Sequence, residues 1–211
     1  MRTPRIGLDF DNTLICYDDV FRDVALAGGL LPANFSGSKQ EVRDAIRLLS
    51  DGERRWQELQ GYVYGAGICG ARHFPGVASF LRRAREAGAE IVVISHKTQF
   101  GHFDPKRVDL RAAALGWMRK TGFFEVDGGG LREENIHFAE TRAEKLGKIG
   151  ELDCTLFVDD LEEVLEDPDF PPHVARILFS PAARGIDDVP LVALPDWPSI
   201  EEHVFGERSR S

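Results

Sequence analysis

Apolar residues recur along this chain in two rhythms. Compact runs read as strands buried on both faces: Arg5-Ile-Gly-Leu-Asp9, Glu90-Ile-Val-Val-Ile94 and Cys154-Thr-Leu-Phe-Val158. Shorter runs of the same kind stand at Ile136-His-Phe138, Ile177-Leu-Phe179 and Leu191-Val-Ala-Leu194. Elsewhere apolar positions fall at helical spacing. Val77, Phe80, Leu81, Ala84 and Ala87 form one such stripe, and Gly88 stops it. Helices are predicted over 18–28, 39–50, 53–64, 106–120, 141–151 and 196–205. Glycine clusters at 28–29, 65–70 and 128–130 punctuate them.

Strands alternating with amphipathic helices predict an α/β fold built on a mainly parallel sheet. The first two strong strands lie about 80 residues apart, too far for a simple crossover. Part of 15–75 is therefore expected to be an inserted helical unit. The predicted organisation is a core domain from 1–14 and 76–205, an insertion over 15–75 and a frayed tail at 206–211.

With 211 residues, the chain has room for one domain, or one domain with an insertion. Its net charge of −9 argues against broad binding to nucleic acid or to anionic membranes. No apolar run approaches the roughly 20 residues of a membrane span. The apolar stretch after Arg2 and Arg5 is cut at once by Asp9 and Asp11, which breaks any signal-peptide pattern. Three scattered cysteines, Cys16, Cys69 and Cys154, suit free thiols in a reducing compartment, so a cytoplasmic location is expected.

Four polar clusters fall where strands end or a helix begins, the place where open α/β sheets bind ligands. Asp9-Phe-Asp11-Asn12-Thr13-Leu14 sets two acids side by side, and a hard divalent cation would relieve their repulsion. An EF-hand is excluded, because Leu14 and Val20 occupy the positions that need Gly and Glu. Ser95-His96-Lys97-Thr98 offers a hydroxyl, backbone amides and a cation to an oxyanion, although an ordinary turn would look the same. Lys145, with Lys148 one turn later, opens a helix; a solvated helix face is the plain alternative. Asp159-Asp160 closes a buried strand. One of the pair could cap a following helix, which leaves the other unexplained.

Taken in order, Asp9-x-Asp11-x-Thr13, Ser95, Lys145 and Asp159-Asp160 resemble the four motifs of the haloacid dehalogenase (HAD) superfamily. The resemblance covers residues 5–165. It implies a Rossmannoid parallel sheet flanked by helices, with 15–75 as a small helical cap of the C1 type. It also implies roles. Asp9 resembles the nucleophile that becomes an aspartyl-phosphate, and Asp11 the general acid and base. Ser95 resembles the phosphoryl-binding hydroxyl, and Lys145 (or Lys148) the neutralising lysine. Asp160, with Asp159, Asp9 and Asp11, resembles the Mg²⁺ site. An Asp two residues after the nucleophile points to phosphate esters and away from dehalogenation. The implied activity is a Mg²⁺-dependent phosphomonoesterase acting on a small soluble ester. A nucleotidase, a phosphomutase and a non-catalytic phospho-ligand-binding protein stay open as alternatives.

Gly65-Ala-Gly67-Ile-Cys-Gly70 matches a dinucleotide fingerprint, but Pro75 leaves no room for the helix that should follow. Substrate selection is expected from Asn12, Thr13, His96, Lys97, Arg54 and Tyr62. Tyr17, Arg22, Arg55, Trp56, Tyr64 and His102 are further candidates from the insertion and the loops. A looser resemblance of 95–98 and 159–164 to HAD proteins of bacterial surface-polysaccharide synthesis implies a sugar, polyol or amino-alcohol phosphate. The expected partner is that small ester, and the chain is expected to be a monomer or homodimer.

Overall fold

The computed structural model describes residues 3–181 and 191–206. The predicted tail from 207 onward lies outside them. In chain order the elements are β1 (Arg5–Leu8), β2 (Ile15–Cys16), α1 (Asp18–Ala27), α2 (Lys39–Arg47), α3 (Gly52–Tyr64), β3 (Arg72–His73), α4 (Val77–Glu86), β4 (Glu90–His96), α5 (Leu110–Lys120), β5 (Ile136–Ala139), α6 (Arg142–Glu151), β6 (Leu156–Asp159), α7 (Glu162–Leu165), β7 (Ala175–Phe179), β8 (Val192–Leu194) and α8 (Trp197–Phe205). No helix among the described residues is long and apolar enough to cross a membrane.

The chain divides into two compact units. The first comprises Met1–Leu14, His73–His96 and Thr121–Ser211. It holds a six-stranded sheet in the order β5-β4-β1-β6-β7-β8, and every pairing is parallel. β1 is thus central, and the chain winds first to one side of it and then to the other. Its apolar residues Ile6 and Leu8 are buried. Gly7 between them has no side chain for a reason: a Cβ there would collide with the Phe157 ring on β6. Phe157 joins Val92, Ile94, Leu146, Ile149, Cys154 and Val164 in the core beneath the sheet.

Local chemistry sets the helix starts. Thr141 caps α6 by accepting the Glu144 N–H at 3.1 Å. Asp196 caps α8 by accepting the Ser199 N–H at 2.8 Å, with Pro198 in the first turn. α6 packs on β4 and β5, and α8 on α4 and β8.

Several elements differ from the sequence pattern at an end, and three of these differences bear on the site or the loops around it. β4 runs on to His96, so Ser95 sits inside the strand. α5 begins at Leu110 and not near 106. Asp104 takes the N–H groups of Lys106 and Val108 into its carboxylate, and Arg107 adopts a left-handed conformation (φ 46°), so the segment before Asp109 stays a loop. β6 begins at Leu156, three residues after the left-handed Asp153 (φ 53°).

The second unit comprises Ile15–Arg72 and Lys97–Lys120. It contains α1, α2, α3 and α5, and the strands β2 and β3 pair as a short ribbon. The sequence pattern assigns 97–120 to the sheet domain; the structure groups it with the helices. Gly101 passes so close to Gly61 of α3 that a Cβ would lie 2.6 Å from the Gly61 Cα. The Trp117 indole of α5 donates to the Ala71 carbonyl at 3.1 Å. Tyr17, Phe21, Trp56 and Tyr64 form an aromatic cluster at the unit's centre.

Candidate active site

Strand register brings the acids of the first unit together. Leu8 pairs with Val93 on β4 and with Val158 on β6. The next residues along, Asp9 and Asp159, therefore emerge level with each other, and the Asp9 N–H donates to the Val158 carbonyl at 2.9 Å. Ser95 lies two residues past Val93 on the other neighbouring strand. All three stand at the carboxyl edge, on the strands around the point where the winding reverses.

Lys145 reaches this edge from α6. Its Nζ donates to Asp9 Oδ1 and to Asp159 Oδ2, each at 2.6 Å, and the side chain is fully buried. Lys148, one turn on, points to the surface and pairs with Glu151 at 2.6 Å. Of the two lysines, Lys145 is the one that contacts Asp9 and Asp159.

Asp9, Asp159 and Asp160 bring carboxylate oxygens within 4.8 Å of one another. Burial pushes the Asp9 carboxyl well above its ordinary range. Lys145 opposes that shift, while Asp159, Asp160 and Asp11 reinforce it. Lys145 moves upward as well: burial alone would lower it, but Asp9 and Asp159 outweigh burial and hold the ammonium charged. Lys145 thus bonds two of these acids, Asp9 and Asp159. A cluster of hard carboxylate oxygens fits a small divalent cation such as Mg²⁺. Asp9, Asp159 and Asp160 would hold it, with Asp11 close by.

The loop after β1 is fixed by its backbone. Asn12 is left-handed (φ 61°), and the Leu14 N–H returns to the Phe10 carbonyl at 3.0 Å. Thr13 is buried; its hydroxyl approaches Asp160 Oδ1 at 3.4 Å, and its carbonyl accepts the Trp197 indole N–H at 3.0 Å. Asp159 Oδ1 accepts the Leu161 N–H at 3.0 Å at the start of α7. Neither acid caps α7, whose N-cap is Leu161 with no side-chain cap bond; Asp159 binds Lys145 and the Leu161 N–H, while Asp160 faces Thr13.

Ser95 is 1% exposed. Its hydroxyl is the one buried side-chain polar atom among the described residues without a hydrogen-bond partner. Such an atom normally has a partner.

The remaining candidates stand elsewhere. The His96 ring nitrogen lies 3.0 Å from the Glu140 carbonyl. Arg54 pairs with Glu58 at 3.0 Å and stacks over Phe103 at 5.1 Å. Arg54 and the exposed Tyr62 line a groove on the helical unit with Val24, Leu30 and Leu59. Lys97 is buried in the same unit, its ammonium 4.7 Å from the centre of the Tyr64 ring. Sequence reasoning missed Trp197 and Lys39. A buried Trp reads as core, and nothing local shows where its N–H points. Lys39 lies inside a helix-opening Ser38-x-x-Glu41 box, which marks the helix start but not the lysine's contacts.

No protein-family model matches this chain, and no curated protein matches it. Solved structures do. A HAD-superfamily hydrolase from Ehrlichia chaffeensis is 14% identical over 97% of both chains, with a TM-score of 0.54. A HAD-family hydrolase from Deinococcus radiodurans, with bound phosphate and sodium, is 13% identical over 96% of this chain and 95% of its own, with a TM-score of 0.59. A predicted phosphoglycolate phosphatase from Haemophilus somnus is 16% identical over 97% and 99%, with a TM-score of 0.53. The six-stranded parallel sheet with flanking helices is therefore the fold of the HAD-superfamily hydrolases.

Proposed function

We propose that the chain is a HAD-type phosphatase: a Mg²⁺-dependent phosphomonoesterase that works through an aspartyl-phosphate on Asp9. The observation that carries this reading is the partnerless buried hydroxyl of Ser95, on the strand beside the one that presents Asp9. Phosphoryl oxygens are acceptors only, and a buried donor with no protein acceptor suits them. The fold neighbours support the same reading: they are hydrolases, one holds phosphate, and one is described as a phosphatase.

The residues divide the work. Asp9 attacks phosphorus, and the ester bond to the leaving alcohol breaks. Asp11 gives that alkoxide its proton, then takes one from the water that hydrolyses the aspartyl-phosphate. Ser95 donates to a phosphoryl oxygen. Lys145, held by Asp9 and Asp159, offsets charge on nucleophile and phosphoryl group. Asp9, Asp159 and Asp160 would hold a divalent cation, which would add positive charge beside the phosphoryl group. Thr13 keeps Asp160 in place.

The test is inorganic phosphate release from sugar, polyol and amino-alcohol phosphates and from phosphoglycolate, in Mg²⁺ and in EDTA. Turnover that needs the cation and drops by about 10⁴-fold in Asp9→Asn is the expected result. A folded protein that turns over none of these esters, or an Asp9→Asn variant as active as the parent, contradicts it.

A further inference from the structure

Lys145 stands near the start of α6, so the placement of that first turn sets where its ammonium lies. The body of the helix leaves this placement open on one flank. A groove runs between β5 and α6, lined by His137, Phe138, Glu144, Gly147 and Lys148. Gly147 brings no side chain to fill it, and among the described residues a Cβ there would meet nothing within 4 Å outside the helix itself. Close packing on every side holds a helix in one position, and a groove along one flank removes part of that constraint.

The start of the helix is anchored instead. Thr141 Oγ1 accepts the Glu144 N–H at 3.1 Å, and the Glu144 carboxylate accepts the Glu140 N–H at 2.7 Å. Both bonds are local to the turn. The Glu140 carbonyl has a distant partner, the His96 ring nitrogen Nε2 at 3.0 Å, 44 positions away along the chain. A carbonyl only accepts, so the proton of this bond is on the ring. His96 is the last residue of β4 and the neighbour of Ser95. Ser95 pairs with Phe138 and His96 with Ala139, which fixes the register at this end of the two strands. The ring thus reaches from the strand that presents Ser95 to the residue before the cap of the helix that presents Lys145.

We propose that His96 is a positioning residue of the phosphoryl site: its ring ties the start of α6 to the end of β4 and so keeps the Lys145 ammonium between Asp9 and Asp159. Lys145 bonds each of those carboxylates at 2.6 Å, so a small displacement of the helix start lengthens at least one of the two bonds. The His96 bond lies at the surface, where water can replace it, and its loss costs little stability. Water supplies a donor but no fixed position, so the effect falls on the lysine and not on the fold. The catalytic consequence rests on the phosphatase reading of Asp9; the link from His96 to Lys145 does not.

Two variants isolate the ring N–H. His96→Phe keeps a ring and removes the donor, while the amide of His96→Gln offers an N–H at a similar reach. Each is made in the parent and on the Lys145→Met background, with thermal unfolding to check the fold. The kinetic probe is para-nitrophenyl phosphate in Mg²⁺. We expect kcat to fall about 10-fold in His96→Phe, to return to within about 2-fold of the parent in His96→Gln, and to change by less than about 2-fold when His96→Phe is added to Lys145→Met. A second measurement needs no turnover. The Lys145 ammonium is buried between two carboxylates and exchanges its protons slowly, so its nitrogen resonance can be followed by NMR and assigned by its loss in Lys145→Met. That resonance should move in His96→Phe and keep its parent position in His96→Gln. Where Lys145→Met leaves no measurable rate, the resonance decides. An unmoved resonance or an unchanged kcat in His96→Phe overturns the proposal. So does a loss of kcat repeated in full on the Lys145→Met background, which would make His96 a substrate contact. A resonance that moves as expected in a protein that releases no phosphate from any ester overturns the phosphatase reading and leaves the link to Lys145 standing.

Discussion

Trp197 and Thr13 lie 184 positions apart and meet in the interior, where the Trp197 indole N–H donates to the Thr13 carbonyl at 3.0 Å. Both side chains are buried. The last helix thereby fixes the loop that carries Asp11 and the left-handed Asn12, and the Thr13 hydroxyl passes that constraint on to Asp160. Trp197→Phe removes the donor and leaves a buried carbonyl without a partner, at a cost of about 1–3 kcal/mol. Thermal unfolding should show that loss. A steady-state assay should show kcat falling about 10-fold as the loop loosens. Loss of stability with kcat intact would make Trp197 a packing residue only.

Ser95 separates stability from function more sharply. Its hydroxyl is buried without a partner, so Ser95→Ala removes a desolvated polar group and leaves folding stability unchanged or raised by about 1 kcal/mol. The same change should lower phosphate release by about 10²-fold, since one donor to the phosphoryl group is gone. Denaturant unfolding and a kinetic assay on the same variant read both effects. A variant that loses stability along with activity would show that Ser95 has a structural partner.

Asp9 predicts a pH dependence of definite sign. Burial and the neighbouring acids raise its folded pKa above the unfolded value, so the folded protein holds that proton more tightly than the unfolded chain does. Its contribution is fully stabilising below the ordinary Asp value and is lost as pH rises through the raised one. In EDTA, Asp9→Asn should therefore gain stability relative to the parent over that window. Mg²⁺ should shrink or reverse the difference, because the cation binds the ionised carboxylate. Parallel stability curves for parent and variant, with and without Mg²⁺, would contradict the acid-cluster account. Thermal melts from pH 4 to 9 provide the comparison.

The three thiols should separate by environment. Cys69 is exposed, while burial pushes the Cys154 thiol up to about 11. Cys16 is half-buried and is also shifted upward by burial. In the folded protein at pH 8 a thiol reagent should label Cys69 first, Cys16 more slowly and Cys154 only after unfolding. Peptide mapping after timed alkylation reads the order, and early labelling of Cys154 would contradict the packing around Gly7 and Phe157.

Much of this site was legible from local chemistry. Acids and a serine at the ends of apolar runs mark the carboxyl edge of a parallel sheet, and that edge is where Asp9, Ser95 and Asp159 stand. The sheet itself followed from runs such as Ile91–Ile94, buried on both faces. Three things were not legible. Lys145 and Lys148 look alike in sequence, and only the packing of α6 turns one inward and leaves the other with Glu151. Helix periodicity could not reveal that residues 97–120 group with 15–72, since that comes from contacts far apart in sequence, such as the close approach of Gly61 and Gly101 and the Trp117–Ala71 bond. The direction of an indole N–H, as at Trp197, has no local signature at all.

The central claim is that Asp9 takes the phosphoryl group. Borohydride added during turnover reduces an acyl phosphate and leaves homoserine in place of the aspartate, which peptide mass spectrometry locates. With Mg²⁺ and a turned-over ester present, the account predicts homoserine at position 9 and at no other acid, and none when EDTA is added. Sustained phosphate release with no reduction at Asp9, or with reduction at Asp11, Asp159 or Asp160 instead, would contradict it.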